Sequence, residues 1–153
     1  MPDIWPVACD DAPVESVTNR DPWRGHHPGL SEEWIVVTGA AGLIGRAVVE
    51  RILDVGGRVL AVDKSTDSLA ELERQHDSGV YLPVPADITS SVAETVMSAQ
   101  FAEMRPRMMV HAAGWQVADG GKRMPSPEEW SAVFDVHVTA PVLLTWGLFE
   151  SVH

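Results

Sequence analysis

At 153 residues, 45% of them hydrophobic and 22% charged, the chain can form one domain with a modest core and has the composition of an ordinary globular protein. Its formal net charge of −11 argues against a nucleic-acid or anionic-membrane partner, because phosphate surfaces attract basic faces. Cys9 is the single cysteine, so no disulfide can close within the chain, and a reducing, cytoplasmic setting is expected.

Residues 1–33 stand apart as a Pro-rich, acidic N-terminal extension. They carry Pro2, Pro6, Pro13, Pro22 and Pro28 and no sustained apolar period, so they read as an arm with a few docking aromatics such as Trp5 and Trp23. The adjacent His26 and His27 have no third ligand nearby, and no metal site is expected. The first residues show neither the basic opening nor the apolar centre of a signal peptide.

From Trp34 onward, strand and helix signals alternate. Residues 34–38 are a β-branched run ending at Gly39. Residues 43–55 place Ile44, Val48, Ile52 and Val55 on one helical stripe, which Gly56 and Gly57 stop. Residues 58–63 are a second strand, and residues 65–75 a polar helix with Ser68 and Glu71 in capping-box spacing. A third strand over 80–84 ends at Pro85. A helix opens at Ser91, with Glu94 completing a second capping box, and runs to about Met104. A fourth strand covers 108–113. Ser126, Pro127 and Glu129 supply cap, first-turn proline and box glutamate for a last, long helix. Pro141 inside that helix either kinks it or resets its hydrogen bonding. The apolar stretch 133–149 is interrupted by Asp135, His137 and Thr139 and reads as too short and too polar to cross a bilayer. This alternation predicts a Rossmann-type, doubly wound α/β fold with a parallel sheet covered on both faces.

The chemistry begins in Thr38-Gly39-Ala40-Ala41-Gly42-Leu43-Ile44-Gly45, between the first strand and first helix. Gly39 suits a turn that needs positive φ, Gly42 the backbone approach of a diphosphate, and Gly45 close helix–strand packing. The N–H groups opening the helix then face the phosphates. Asp63 closes the second strand 18 residues beyond Gly45, where an acid accepts hydrogen bonds from the adenosine ribose. Its charge repels a 2′-phosphate, which favours NAD over NADP, and the neighbouring Lys64 pulls the other way.

On these residues, the stretch 34–153 resembles the short-chain dehydrogenase/reductase family. The glycine loop looks like that of the extended branch, which holds epimerases and dehydratases. Asp87 and Ile88, after the third strand, match the family's adenine-contacting pair. His111-Ala112-Ala113-Gly114 looks like its Asn-Asn-Ala-Gly segment, with Ala112 in place of the second Asn. The long helix carries His137 where the family has a catalytic Asn. The resemblance therefore implies cofactor contacts at Gly39, Ala41, Gly42, Leu43, Ile44, Gly45, Asp63, Asp87, Ile88, Ala112, Ala113 and Gly114. For His137, the resemblance implies a catalytic position; packing or local hydrogen bonding is the alternative.

The resemblance also implies a serine and a Tyr-x-x-x-Lys pair for proton transfer, and neither is found here. Tyr81, the one tyrosine, lies in the third strand, and neither Lys64 nor Lys122 stands in the pattern. The nucleotide-binding domain 34–153 thus reads as incomplete, truncated after the fourth strand and the long helix. Three functions stay open. They are an NAD(H)-dependent oxidoreductase fragment inactive by itself, a non-catalytic NAD(H)-binding module, and a fragment of an epimerase or dehydratase. The 128–150 helix is apolar on every side, so a second copy or a partner chain is expected to cover it.

Overall fold

The computed structural model describes residues 29–30, 32–76, 79–117 and 123–152, with the side chains of 91–96 and 152 excepted. Residues 1–28, with Cys9, Trp5, Trp23, His26 and His27, lie outside the described residues, as do 118–122 with Lys122.

Four parallel strands form one sheet in the order β3-β2-β1-β4. They are β1 (Trp34–Thr38), β2 (Arg58–Asp63), β3 (Tyr81–Pro85) and β4 (Met108–His111). The crossover helices are α1 (Leu43–Asp54), α2 (Thr66–Glu73) and α3 (Ser91–Met104). Right-handed crossovers from β1 to β2 to β3 set α1 and α2 on one face, and the return to β4 sets α3 on the other. Strand alternation sorts the core accordingly. Ile35, Val37, Val59 and Ala61 meet Val49, Ile52, Leu69 and Leu72. Val36, Leu60 and Val62 meet Met97, Phe101, Leu144 and Leu148 on the opposite side. Both faces are covered, which is why the central strands read as unbroken apolar runs. The expected Rossmann-type, doubly wound parallel sheet is the observed fold.

Local chemistry sets the element ends. Gly56 takes φ +88° after α1, and at Gly57 a Cβ would stand 2.7 Å from the Ile52 side chain, so a glycine pair stops this helix. β3 runs one residue later than the expected 80–84 and contains both Pro83 and Pro85. It pairs only with β2, and the Ala86 amide donates to the Asp63 carbonyl. By strand alternation the proline nitrogens therefore point away from the sheet, where no N–H is needed. α2 departs from expectation at its start. The cap position is Ser65, whose N–H is already held by Asp63 Oδ1, and its Oγ meets Ser68 Oγ at 2.7 Å. Ser68 is thus inside the helix and the Ser68–Glu71 box does not form.

The long helix begins as read. At α4 (Pro127–Phe134) the Ser126 hydroxyl accepts from the Glu129 amide, and Glu129 accepts in turn from the Ser126 amide, a complete capping box. α4 passes through a π-turn at Asp135–Thr139 into α5 (Ala140–Val152). In that turn the Ala140 amide reaches back to the Asp135 carbonyl. Pro141 has no N–H to offer, and the widened turn resets the ladder just before it. The helix is therefore continuous over Pro127–Ser151, 25 residues that include an 18-residue window of mean hydropathy 1.5, long and apolar enough by length and composition to cross a membrane. This corrects the reading of the segment as too short and too polar, because the capped start and the reset turn lengthen it beyond its apolar centre. One side of α5 is seated in the core: Ala140, Leu144 and Leu148 are buried there.

Candidate functional site

The carboxyl ends of β1, β2, β3 and β4 open into a cleft of about 170 Å³ at the point where strand order reverses between β1 and β4. Ligands of open parallel sheets sit at such a point. The loop after β1 forms its floor. Gly39 takes φ +67°, and a Cβ there would stand 2.6 Å from the Ala113 backbone. The loop is stitched to both neighbouring strands, with the Ala40 amide donating to Val62 O and the Ala112 amide to Thr38 O. Thr38, fully buried, accepts from the Ala113 amide at its Oγ1, 3.4 Å away. Gly45 packs against the loop itself, for a Cβ would fall 2.0 Å from Gly39 O. Its absence lets α1 start directly under the turn. Gly42 caps α1 with no side-chain hydrogen bond, so the first-turn amides carry no side-chain partner.

The carboxylate at the end of β2 holds the loop. Asp63 Oδ2 accepts from the Ala41 amide at 3.1 Å, and Oδ1 from the Ser65 amide at 2.9 Å. Asp63 nonetheless lines the cleft, together with Lys64. Across from them, after β3, Asp87 Oδ1 accepts from the Thr89 amide at 3.0 Å and its hydroxyl at 2.8 Å. These bonds hold the Asp87 carboxyl below the usual range, with a smaller contribution from the positive Lys64. Ile88 completes this wall.

The far wall is Ala112, Ala113, Gly114 and Trp115, with Val136 from the π-turn. His137 sits beside it rather than in it: its Nε2 lies 2.9 Å from the Trp115 carbonyl oxygen and 3.2 Å from the Trp115 amide nitrogen. His111, at the end of β4, meets Thr145 Oγ1 at 2.9 Å, and burial pushes its pKa down.

Of the residues singled out from sequence, the cleft brings together Gly39, Gly42, Asp63, Asp87, Ile88, Ala112, Ala113 and Gly114. Ala41 contributes its amide to Asp63 instead. The side chains of Leu43 and Ile44 point away, 93% and 70% exposed, and border an apolar hollow along α1 with Leu30, Ala47 and Val48. Val62, Lys64, Ala86, Trp115 and Val136 line the cleft without having been among those site residues. Lys64 and Trp115 were legible as neighbours of Asp63 and Gly114, whereas Val136 comes from the helix and gave no local signal. Tyr81 is buried, its hydroxyl donating to Leu69 O at 3.4 Å, and burial pushes its pKa up to about 12. It takes no part in the cleft. Among the described residues no three His, Cys, Asp or Glu side chains cluster as a metal site would require.

Comparison with known proteins gives this geometry its family. A model of the short chain dehydrogenase family matches residues 33–152. The cis-2,3-dihydrobiphenyl-2,3-diol dehydrogenase of Paraburkholderia xenovorans is 41% identical over 61 residues, 40% of this chain and 22% of that protein. A metagenomic short-chain oxidoreductase in complex with NADP superposes with a TM-score of 0.71 at 27% identity, covering 80% of this chain and 57% of its own. A short-chain dehydrogenase from Leptospira borgpetersenii with bound NAD+ does so with a TM-score of 0.64 at 24% identity, covering 79% and 46%, a likeness of fold. The chain thus spans about half the length of the solved relatives it matches. With the glycine turn, the sheet order and a family match over most of its length, this chain belongs to the short-chain dehydrogenase family of nicotinamide-dinucleotide oxidoreductases.

Proposed function

We propose that this chain is the dinucleotide-holding part of a cytoplasmic oxidoreductase, and that it takes NAD(H) in preference to NADP(H). The observation that carries the reading is Asp63, a carboxylate at the cleft wall whose other task is to fix the glycine loop. The uncapped amides of Leu43, Ile44 and Gly45 would receive the diphosphate, aided by the dipole of α1. Asp63 would accept from the ribose hydroxyls and oppose a 2′-phosphate, with Lys64 reducing that opposition. Asp87 and Ile88 would meet the adenine, and Ala112, Ala113 and Gly114 the nicotinamide side.

When bound, the nicotinamide supplies the hydride chemistry between an alcohol and a carbonyl. In this family the proton is expected to pass through a tyrosine hydroxyl that ionises near neutral pH. Tyr81 is buried and stays protonated, so these residues bind and orient but do not complete turnover. The spacing Gly39-x-x-Gly42-x-x-Gly45 keeps the epimerase/dehydratase branch as a second reading, and a non-catalytic NAD(H)-binding module as a third. The exposed Trp130, Phe134, Val138, Val142, Trp146 and Phe149 favour a second copy or partner chain on the long helix.

The test is titration of the purified chain with NADH and NADPH. NADH is expected to bind more tightly, and Asp63→Ala to narrow the gap. Equal or reversed preference in the unaltered chain removes the role given to Asp63, and steady NADH oxidation with any carbonyl panel removes the expectation of binding without turnover.

A further inference from the structure

We infer that His137 is a positioning residue for the far wall of the cleft, holding the Trp115 backbone by one hydrogen bond at a time where two are on offer. This deepens the dinucleotide reading and rests on it for one of its two readouts. Nε2 faces both the carbonyl oxygen and the amide nitrogen of Trp115, at 2.9 and 3.2 Å. A single ring nitrogen either accepts or donates. With the proton on Nδ1 it accepts the Trp115 N–H, and with the proton on Nε2 it donates to the Trp115 carbonyl. One of the two backbone groups is therefore always left without this partner.

The surroundings hold the ring in this place. His137 is the middle residue of the π-turn Asp135–Thr139. Gly114 leaves room for it, since a Cβ there would stand 3.2 Å from His137 Cε1. Trp115 and Val136, one partner and one neighbour, both line the cleft, so the contact joins two parts of its wall.

Among the described residues, charged and titratable groups stand on the neighbouring elements. Asp135, on the same turn, accepts from Thr139 Oγ1 at 3.4 Å. His111 on β4 meets Thr145, and Asp63, Lys64 and Asp87 line the same cleft. An asparagine carries donor and acceptor on separate atoms and can hold both Trp115 groups together.

The experiment compares the unaltered chain with H137N and H137L. Without ligand, NMR amide exchange at Trp115, corrected for intrinsic rate, is expected to show protection in the order H137N, unaltered, H137L. The NADH dissociation constant is expected to be lower in H137N and higher in H137L, each by about two- to tenfold, the span of one net hydrogen bond. His111→Gln should leave the difference between the unaltered chain and H137N in place. Equal Trp115 exchange in the unaltered chain and H137N overturns the inference, whether or not H137L folds. Absence of NADH binding with the exchange order intact removes the dinucleotide reading and leaves the clamp standing.

Discussion

Substituting two glycines of one loop separates what the fold needs from what the ligand needs. At Gly39 the backbone has φ +67°, and an alanine Cβ would stand 2.6 Å from Ala113 N and Cα and 2.8 Å from Ala112 C. The left-handed conformation costs alanine about 1–2 kcal/mol. Pushing the exit of β4 aside adds about 1–3 kcal/mol, the usual range for overpacking. With about 4 °C of melting temperature per kcal/mol in a domain of this size, Gly39→Ala is expected to melt roughly 8–20 °C lower. Gly42 differs. Its φ of −72° and ψ of 168° suit any residue, and a Cβ would meet only Gly39 O at 3.2 Å. That contact offsets the gain of about 0.4–1 kcal/mol from a stiffer unfolded chain, so the melting temperature of Gly42→Ala should stay within about 3 °C. Its methyl group would nevertheless stand where a diphosphate approaches the turn, weakening NADH by at least ~tenfold, about 1.4 kcal/mol. Thermal melts followed by circular dichroism and NADH titration by fluorescence measure both. A Gly39→Ala chain that melts like the unaltered one, or two variants whose melting and affinity fall in parallel, would refute the division of labour.

Three further outcomes are expected. Arg123 beside Glu129, and the Ser126 amide, hold the Glu129 carboxyl down at about 2 from an ordinary value of 4.5. A depressed folded-state value stabilises above the ordinary range and is lost as pH falls from about 4.5 to about 2, so the melting gap between the unaltered chain and Glu129→Gln should close across that window. Thr38→Val leaves the Ala113 N–H beside a buried methyl and should cost about 1–3 kcal/mol in urea unfolding; an unchanged midpoint would show that the 3.4 Å bond contributes nothing. The double substitution Val142→Glu and Trp146→Glu, on the exposed side of α5, should lower any concentration-dependent mass seen by light scattering without lowering the melting temperature of dilute protein. An unchanged mass distribution removes the helix from the interface.

The fold was legible where one physical signal decided the outcome alone. β1 and β2 appear at the expected bounds because their residues are buried on both faces and nothing else competes. The Ser126 box formed because proline and glutamate follow at the required positions. The Ser68 box failed because Asp63 had already fixed Ser65 as the cap, the effect of a side chain two residues ahead of it. In the site, Gly39, Asp63 and Asp87 could be read because each sits where a strand ends. Leu43 and Ile44 open α1 where the helix was expected to begin, and their side chains face outward, so only their amides are turned toward the glycine turn. The contact between His137 and Trp115 spans 22 residues and could not be read from either neighbourhood. Pro141 hinted at the reset turn only as one of two outcomes.

The two margins of the sheet are unequal. Pro83 and Pro85 leave β3 without outward N–H groups at those positions, so a strand approaching from that side would find acceptors without the matching donors. β4 has no such block at Met108, Met109, Val110 or His111. Any strand added to this sheet would meet a directional choice: beside β4 the donors are in place, and at Pro83 and Pro85 the other margin is guarded against pairing edge to edge.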